Sequence, residues 1–270
     1  MLTTLLAARL PAVSGARVGA VMGRNVASLR SGPSYWIVLV SGFFEPLLYL
    51  LSIGVGVGAL IGELRLEDGR VLSYAVFVAP AMLAVSAMTG VLAETTFNFF
   101  FKMKYSKTFE AILATPVGPL EVALGELSWA VVRGSFYTAV FIGVMVAMDL
   151  VSLGWALAAF PATVLVGFAF GAVGMALSTL MRGWQDFDLL NTGQFALFLF
   201  SGTFAPVQAY PLGVEILIQL TPLYHAVELV RGLALGSPGP GLLLNTAYLV
   251  AMALAGLLFA ARRVERLLCA

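Results

Sequence analysis

The chain has 270 residues and a formal net charge of +1, with 60% hydrophobic and only 11% charged residues; its mean hydropathy is +0.98. That balance lies outside the soluble range and describes a polytopic helical membrane protein. The net charge says nothing about nucleic acid, but the basic residues are spread among the loops rather than concentrated on one face, and no nucleic-acid partner is expected. The single cysteine, Cys269, excludes an internal disulfide, and with the single histidine it excludes a zinc site built from His and Cys.

The opening residues, MLTTLLAARLP, lack a basic n-region and are broken by Arg9 and Pro11, so no cleavable signal peptide is expected. From Arg17 to Arg30 the pattern is amphipathic. Val18, Val21, Met22, Val26 and Leu29 share one face, flanked by Arg17, Arg24 and Arg30. This spacing predicts a helix lying in the membrane interface, its arginines at the headgroups.

Six spans follow, at about 35–60, 72–101, 120–148, 153–181, 189–206 and 242–261, within one transmembrane domain covering 1–270. Between the first two lies a polar segment, Glu63 to Arg70, and a tight turn is expected at Asp149. The segment 206–240 is apolar but cut by Pro211, Pro222, Pro238 and Pro240, which predicts short re-entrant or interfacial helices on the outer side. The expected class is therefore all-α.

Charge orients these spans. Arg9, Arg17, Arg24, Arg30, Lys102, Lys104, Lys107, Arg182, Arg262, Arg263 and Arg266 fall on one side. Only Arg65, Arg70 and Arg231 fall on the other, and Arg133 lies within a span. Eleven against three places both termini in the cytoplasm.

The loop 102–118 holds all three lysines and more than a connector. Phe109, Ile112 and Leu113 fall at i, i+3 and i+4, one face of a short helix that Pro116 ends. A short amphipathic helix between two spans is a docking surface for a cytoplasmic partner. Phe109, Ile112 and Leu113 are read as its apolar anchor, Lys107 and Glu110 as its rim.

Four ionisable residues fall inside spans: Glu45, Glu94, Glu126 and Arg133. Such residues mark functional paths or satisfied pairs. Glu45 and Arg133 lie at similar depth, so they either pair or line a substrate path; Glu94 and Glu126 sit nearer the cytoplasm and equally suit a watery inner mouth. Gly54, Gly58 and Gly62, and Gly167 with Gly171, form small-xxx-small steps suited to close helix crossing, within one chain or between chains. His225, without acidic or cysteine neighbours, reads as a structural hydrogen-bonder. No Gly-Lys dipeptide occurs, hence no Walker A motif and no ATP hydrolysis by this chain. An intramembrane serine protease would need a Gly-x-Ser-Gly turn, and none is present. No catalytic residue or metal ligand is assigned.

Five stretches carry a resemblance: Phe44 to Gly58, the loop Met103 to Val117, Gly125 to Gly134, Phe200 to Pro211, and Thr221 to Gly236. In that order they resemble the membrane permeases of type-2 ABC exporters, closest to the nodulation-factor (lipo-oligosaccharide) and daunorubicin-resistance branch. Ala205 departs from the aromatic residue common there. The resemblance implies six spans, an amphipathic N-terminal helix, a coupling helix between spans two and three, and broken outer helices that place Pro206, Pro222, His225 and Arg231 in one motif. It implies a permease in the bacterial cytoplasmic membrane that exports a lipid, glycolipid, lipo-oligosaccharide or drug. The permease would pair with a second copy or a homologous permease and contact membrane lipids. Two ATPase subunits, which bind ATP and Mg, would dock around Lys107, Thr108, Phe109, Glu110, Ile112, Leu113, Thr115 and Pro116. The rival reading is an ion-coupled secondary transporter using Glu45 and Arg133, which leaves the amphipathic N-terminal segment and the loop without a role.

Overall fold

In the computed structural model, residues 13–31, 44, 46–65 and 69–268 are described. Helix α1 (Gly15–Ser31) comes first. Helix α2 (Pro46–Ile61) is apolar and short, with a π-helical stretch at Leu50–Val57. A two-stranded antiparallel hairpin follows, β1 (Glu63–Arg65) on β2 (Val71–Ser73), with Leu64 opposite Leu72. The fold is therefore not purely α: the polar segment after α2 pairs its backbone with itself. Gly62, at φ 72°, makes the turn out of α2 and so acts as a helix terminator, with nothing within 4 Å of the position a Cβ would take.

Helix α3 (Tyr74–Lys104) runs 31 residues and is the most buried of the long helices. Ser73 caps it by accepting from the Val76 amide. A π turn at Glu94–Asn98 interrupts its ladder; such turns widen a helix locally and redirect the side chains that follow. The short α4 (Thr108–Leu113) starts after Lys107, which sits at φ 50°. Then come α5 (Pro119–Ala147) and α6 (Leu153–Ser178), joined by a turn in which Asp149 takes φ 55°. Helix α7 (Gln185–Leu199) begins earlier and ends sooner than the expected fifth span. After a 3-10 turn at Val207–Ala209 come α8 (Leu212–Gln219), α9 (Pro222–Ala234) and α10 (Gly241–Leu268).

Four described helices, α3, α5, α6 and α10, are long and apolar enough to cross a membrane. They are the second, third, fourth and sixth expected spans. Helices α2 and α7 are shorter, and residues 32–43 at the start of the first expected span lie outside the described residues.

The core forms where α3 meets α6 and α9. Val78, Met82, Leu83 and Met88 of α3, Val166 of α6 and Val227 of α9 have no exposed surface. Gly171 allows this approach: a Cβ there would sit 2.6 Å from Val91 and 2.8 Å from Leu127. The small-residue step on α6 thus serves packing inside the chain. On the apolar face of helix α1, Val18, Met22, Val26 and Leu29 are half-buried. Val21 is buried against α5, where a Cβ on Gly125 would come within 2.6 Å of it.

Candidate functional site

Two helical faces build a buried polar seam. On α5, Glu126, Trp129, Arg133 and Tyr137 recur at i, i+3, i+7 and i+11, one stripe of a 3.6-residue helix. On α3, Glu94, Asn98 and Lys102 recur every four residues across the π turn. The two stripes face each other. Glu94, 6% exposed, accepts from Trp129 Nε1 at 3.0 Å, from Asn98 Nδ2 at 2.8 Å, and from Arg133 Nη1. Arg133 Nε donates to the Tyr137 hydroxyl at 2.6 Å.

Lys102 continues the seam. Its Nζ lies 4.0 Å from Glu94 Oε1, donates to Glu126 Oε2 at 2.6 Å, and donates to Asn25 Oδ1 at 3.0 Å. Asn25 belongs to α1, as does Arg24, whose Nη2 stands 3.6 Å from Glu126 Oε1. Cation and anion thus alternate from Arg133 through Glu94, Lys102 and Glu126 to Arg24, tying α5, α3 and α1 together. Each charge leaves water only because a partner of opposite sign is in place.

A second junction joins α1 to the loop after α4. Glu121 accepts from the Gly118 and Ser14 amides, each at 2.8 Å, and pairs with Arg17 Nε at 3.0 Å. Arg17 Nη1 donates to the Pro116 carbonyl at 2.5 Å. Thr115 closes the end of α4 by donating to the Ile112 carbonyl at 2.6 Å, and Thr108 bonds Ser106 at 2.8 Å.

The face of α4 corrects the expected anchor. Phe109 is wholly buried, 4.9 Å from the Phe99 ring centroid and clustered with Val122, Ala123 and Leu127; Ile112 and Leu113 pack on the same cluster. The apolar face is occupied by the protein's own core, because a helix of six residues is not stable by itself and gains most of its stability from packing that face. What it turns outward is Lys107, Glu110, Ala111, Ala114, Thr115 and Pro116.

At the other end of the bundle, Arg231 is buried. It donates to Glu228 and to the Gly202 carbonyl, both at 2.7 Å, and lies 4.1 Å over the Phe77 ring. His225 shares a bond of 2.8 Å with Asn245 and stacks on Tyr248 at 4.0 Å. Pro222 opens α9, where Thr221 caps by accepting from the Tyr224 amide. Pro206, Arg65, Arg70, Glu228 and Arg231 line an open cavity of about 690 Å³.

Of the intramembrane charges singled out from sequence, Glu94, Glu126 and Arg133 come together, and Glu45 lies outside the described residues. Sequence reasoning missed Lys102, Asn25, Asn98, Trp129 and Tyr137 as members of the seam. The helical stripes on α3 and α5 were the signal for four of them; Asn25, on another helix, gave none.

Long apolar helices, an ion-paired interior seam and a short loop helix together describe a membrane-spanning bundle. The profile of the ABC-2 type transporter family matches residues 17–235, and the chain belongs to that family. It is 34% identical over 205 residues to Nodulation protein J of Rhizobium meliloti (strain 1021), covering 74% of this chain and 75% of that protein. With Nodulation protein J of Rhizobium leguminosarum bv. viciae the figures are 32% over 206 residues, 74% and 76%. The inner membrane transport permease YadH of Escherichia coli (strain K12) is 24% identical over 198 residues, 71% and 74%. Members of this family are transporter components, not enzymes in themselves, and work with an ABC ATPase.

Proposed function

We propose that the chain is the permease subunit of an ATP-driven exporter that moves an amphipathic substrate outward across the bacterial cytoplasmic membrane. The substrate class, a lipid, glycolipid, lipo-oligosaccharide or drug, follows the likeness to the nodulation proteins. In this reading six spans cross the membrane with both termini in the cytoplasm, and two permeases pair over two ATPase subunits, which bind ATP and Mg.

The observation that carries the reading is the mounting of the loop. Helix α4 is fixed to α3 and α5 through Phe109, while Arg17 and Glu121 fix the loop after it to α1 and α5. Force applied to its outward face by a closing ATPase reaches three helices at once, and through Lys102 and Glu126 it reaches the seam. Rigid-body displacement of packed helices is an established form of transmission. The ATPase would bear on Lys107, Glu110, Ala111 and Ala114, with Thr115 and Pro116 at the edge.

The test is co-purification of the ATPase with permease variants, with membrane level as control. Ala111→Trp should reduce ATPase recovery and ATP-driven transport together, at unchanged membrane level. Undiminished recovery with Ala111→Trp and with Ala114→Trp removes this face as the docking site. Orientation is read by labelling with an impermeant thiol reagent: Gln208→Cys should react from outside and Ser106→Cys should not. Reversed labelling overturns the topology.

A further inference from the structure

The open cavity of about 690 Å³ lies at the end of the bundle opposite the docking loop. Phe77 lines it near the start of α3, about 40 Å along the helix from Lys104, where that loop begins. Its walls come from the hairpin, from α9 and from the start of α10. Force transmitted through the seam does not involve it.

Its lining is rich in positive charge and in hydrogen-bond donors. Among the described residues the charged groups lining it are Arg65, Arg70 and Arg231 against one carboxylate, Glu228. The hairpin register sets Arg65 opposite Val71, the neighbour of Arg70, so both hairpin arginines stand at the same end beside the cavity. Arg65 is exposed and makes no hydrogen bond or ion pair with a described residue. Glu228 is spent on Arg231 Nη1 at 2.7 Å. Arg231, 8% exposed, gives Nη2 to the Gly202 carbonyl and still carries an Nε without a hydrogen-bond partner.

Helix α10 adds neutral donors. Asn245 lines the cavity and is also 8% exposed; its carboxamide oxygen is spent on His225 at 2.8 Å, which leaves the amide nitrogen to donate. Gly239 and Gly241, at the start of this 28-residue helix, line the cavity too. A helix start presents amides that have no partner within the helix, together with the positive end of its dipole. No acidic residue occupies the first turn of α10 to compete for them.

We infer that this cavity is a binding site for a phosphate group, carried by a soluble phosphate compound or by the headgroup of a membrane phospholipid. Guanidinium forks match phosphate oxygens in pairs, and their bonds to an anion are charge-assisted. Donors contributed by three elements suit a group with three or four oxygens better than a carboxylate with two. The volume exceeds that of a bare phosphate and leaves room for the molecule that bears it. The inference goes beyond the permease reading and uses the proposed orientation only to name the outer side.

The permease alone, without ATP or ATPase, is held in neutral detergent at fixed ionic strength with chloride as the balancing anion. Binding of radiolabelled inorganic phosphate is then measured by equilibrium dialysis. One phosphate per chain should bind saturably. Arg65→Gln should weaken binding about tenfold, the value of one hydrogen bond to a charged group. Gly241→Asp should abolish it, because a carboxylate tethered at the helix start takes the amides offered to the anion. Nothing lies within 4 Å of the position a Cβ would take at Gly241, so this variant should keep the unfolding midpoint of the wild type. Dioctanoyl phosphatidic acid and glycerol 3-phosphate are then set to compete with the label, and displacement by either supports the site. Stronger displacement by the lipid assigns it to a headgroup, and equal or weaker displacement assigns it to a soluble phosphate. Absence of saturable binding overturns the inference, as does displacement by neither competitor or binding unmoved in both variants.

Discussion

Helix α3 carries a buried arginine contact near each end, and the two are built differently. Near Lys102, Arg133 belongs to a chain of charges contributed by three helices. Near Tyr74, Arg231 finds Glu228 one turn earlier on its own helix, a backbone carbonyl, and the face of Phe77. Phe77 and Glu94 are 17 positions apart, about 26 Å along the helix. A pair within one helix survives when that helix moves as a body, whereas pairs between helices register every relative shift. The seam's pairs Arg133–Glu94, Lys102–Glu126 and Arg24–Glu126 cross between helices, whereas at Arg231 the ion pair is internal to one helix and the contacts to Gly202 and Phe77 cross to other elements.

The seam is also graded. Both Glu94 oxygens are hydrogen-bonded, yet at its α1 end Glu126 Oε1, Arg24 Nε and Asn25 Nδ2 are buried without a hydrogen-bond partner. Leaving such groups unsatisfied has a free-energy cost, so this end of the seam is held less firmly than the Glu94 end.

The largest expected effect is at Glu94. Glu94→Ala leaves Arg133 and Lys102 facing each other without the shared carboxylate and should destabilise the fold by about 3–5 kcal/mol, read as a lowered unfolding midpoint in detergent. Glu94→Gln with Arg133→Gln should recover part of the loss. Stability equal to wild type in Glu94→Ala would show the seam to be idle.

Next is Phe109→Ala, expected to cost about 3 kcal/mol as a cavity in a fully buried site, with lower membrane yield. A variant that folds normally but loses the ATPase would restore the outward anchor inferred from sequence.

Arg231→Lys keeps the charge but loses the planar stacking on Phe77 and one of two directed bonds, so about 1–2 kcal/mol is expected. Unlike Glu94→Ala, it should leave coupling between ATP hydrolysis and transport unchanged. If uncoupling appears here instead, the contrast between the two ends fails.

Smallest is Lys107→Ala. The Lys107–Glu110 pair, at 3.7 Å, is exposed on both sides, and such pairs contribute about 0–1 kcal/mol. Unfolding should be indistinguishable from wild type.

The sequence by itself determined the class, the bounds of α3, α5 and α6 to within three residues, the start of α10 but not its end, which runs seven residues further to Leu268, the turn at Asp149, and the broken segment around α8 and α9. Each follows from a local rule: apolar length, the reach of a helix, or the chemistry of proline. It also located the short helix α4, since i, i+3, i+4 spacing is a property of the helix alone. Tertiary structure decided where those faces point. Periodicity shows that Phe109 and Val21 lie on an apolar stripe but not what covers it, and both turned inward onto α5. It likewise decided the pairing of charges. Lys102 reads as a loop cation that sets topology, yet the π turn at Glu94–Asn98 carries it back against Glu126 and Asn25. No residue pattern within α3 specifies a partner on α1, because the attraction between two buried charges depends on distance in space, and sequence separation does not fix it.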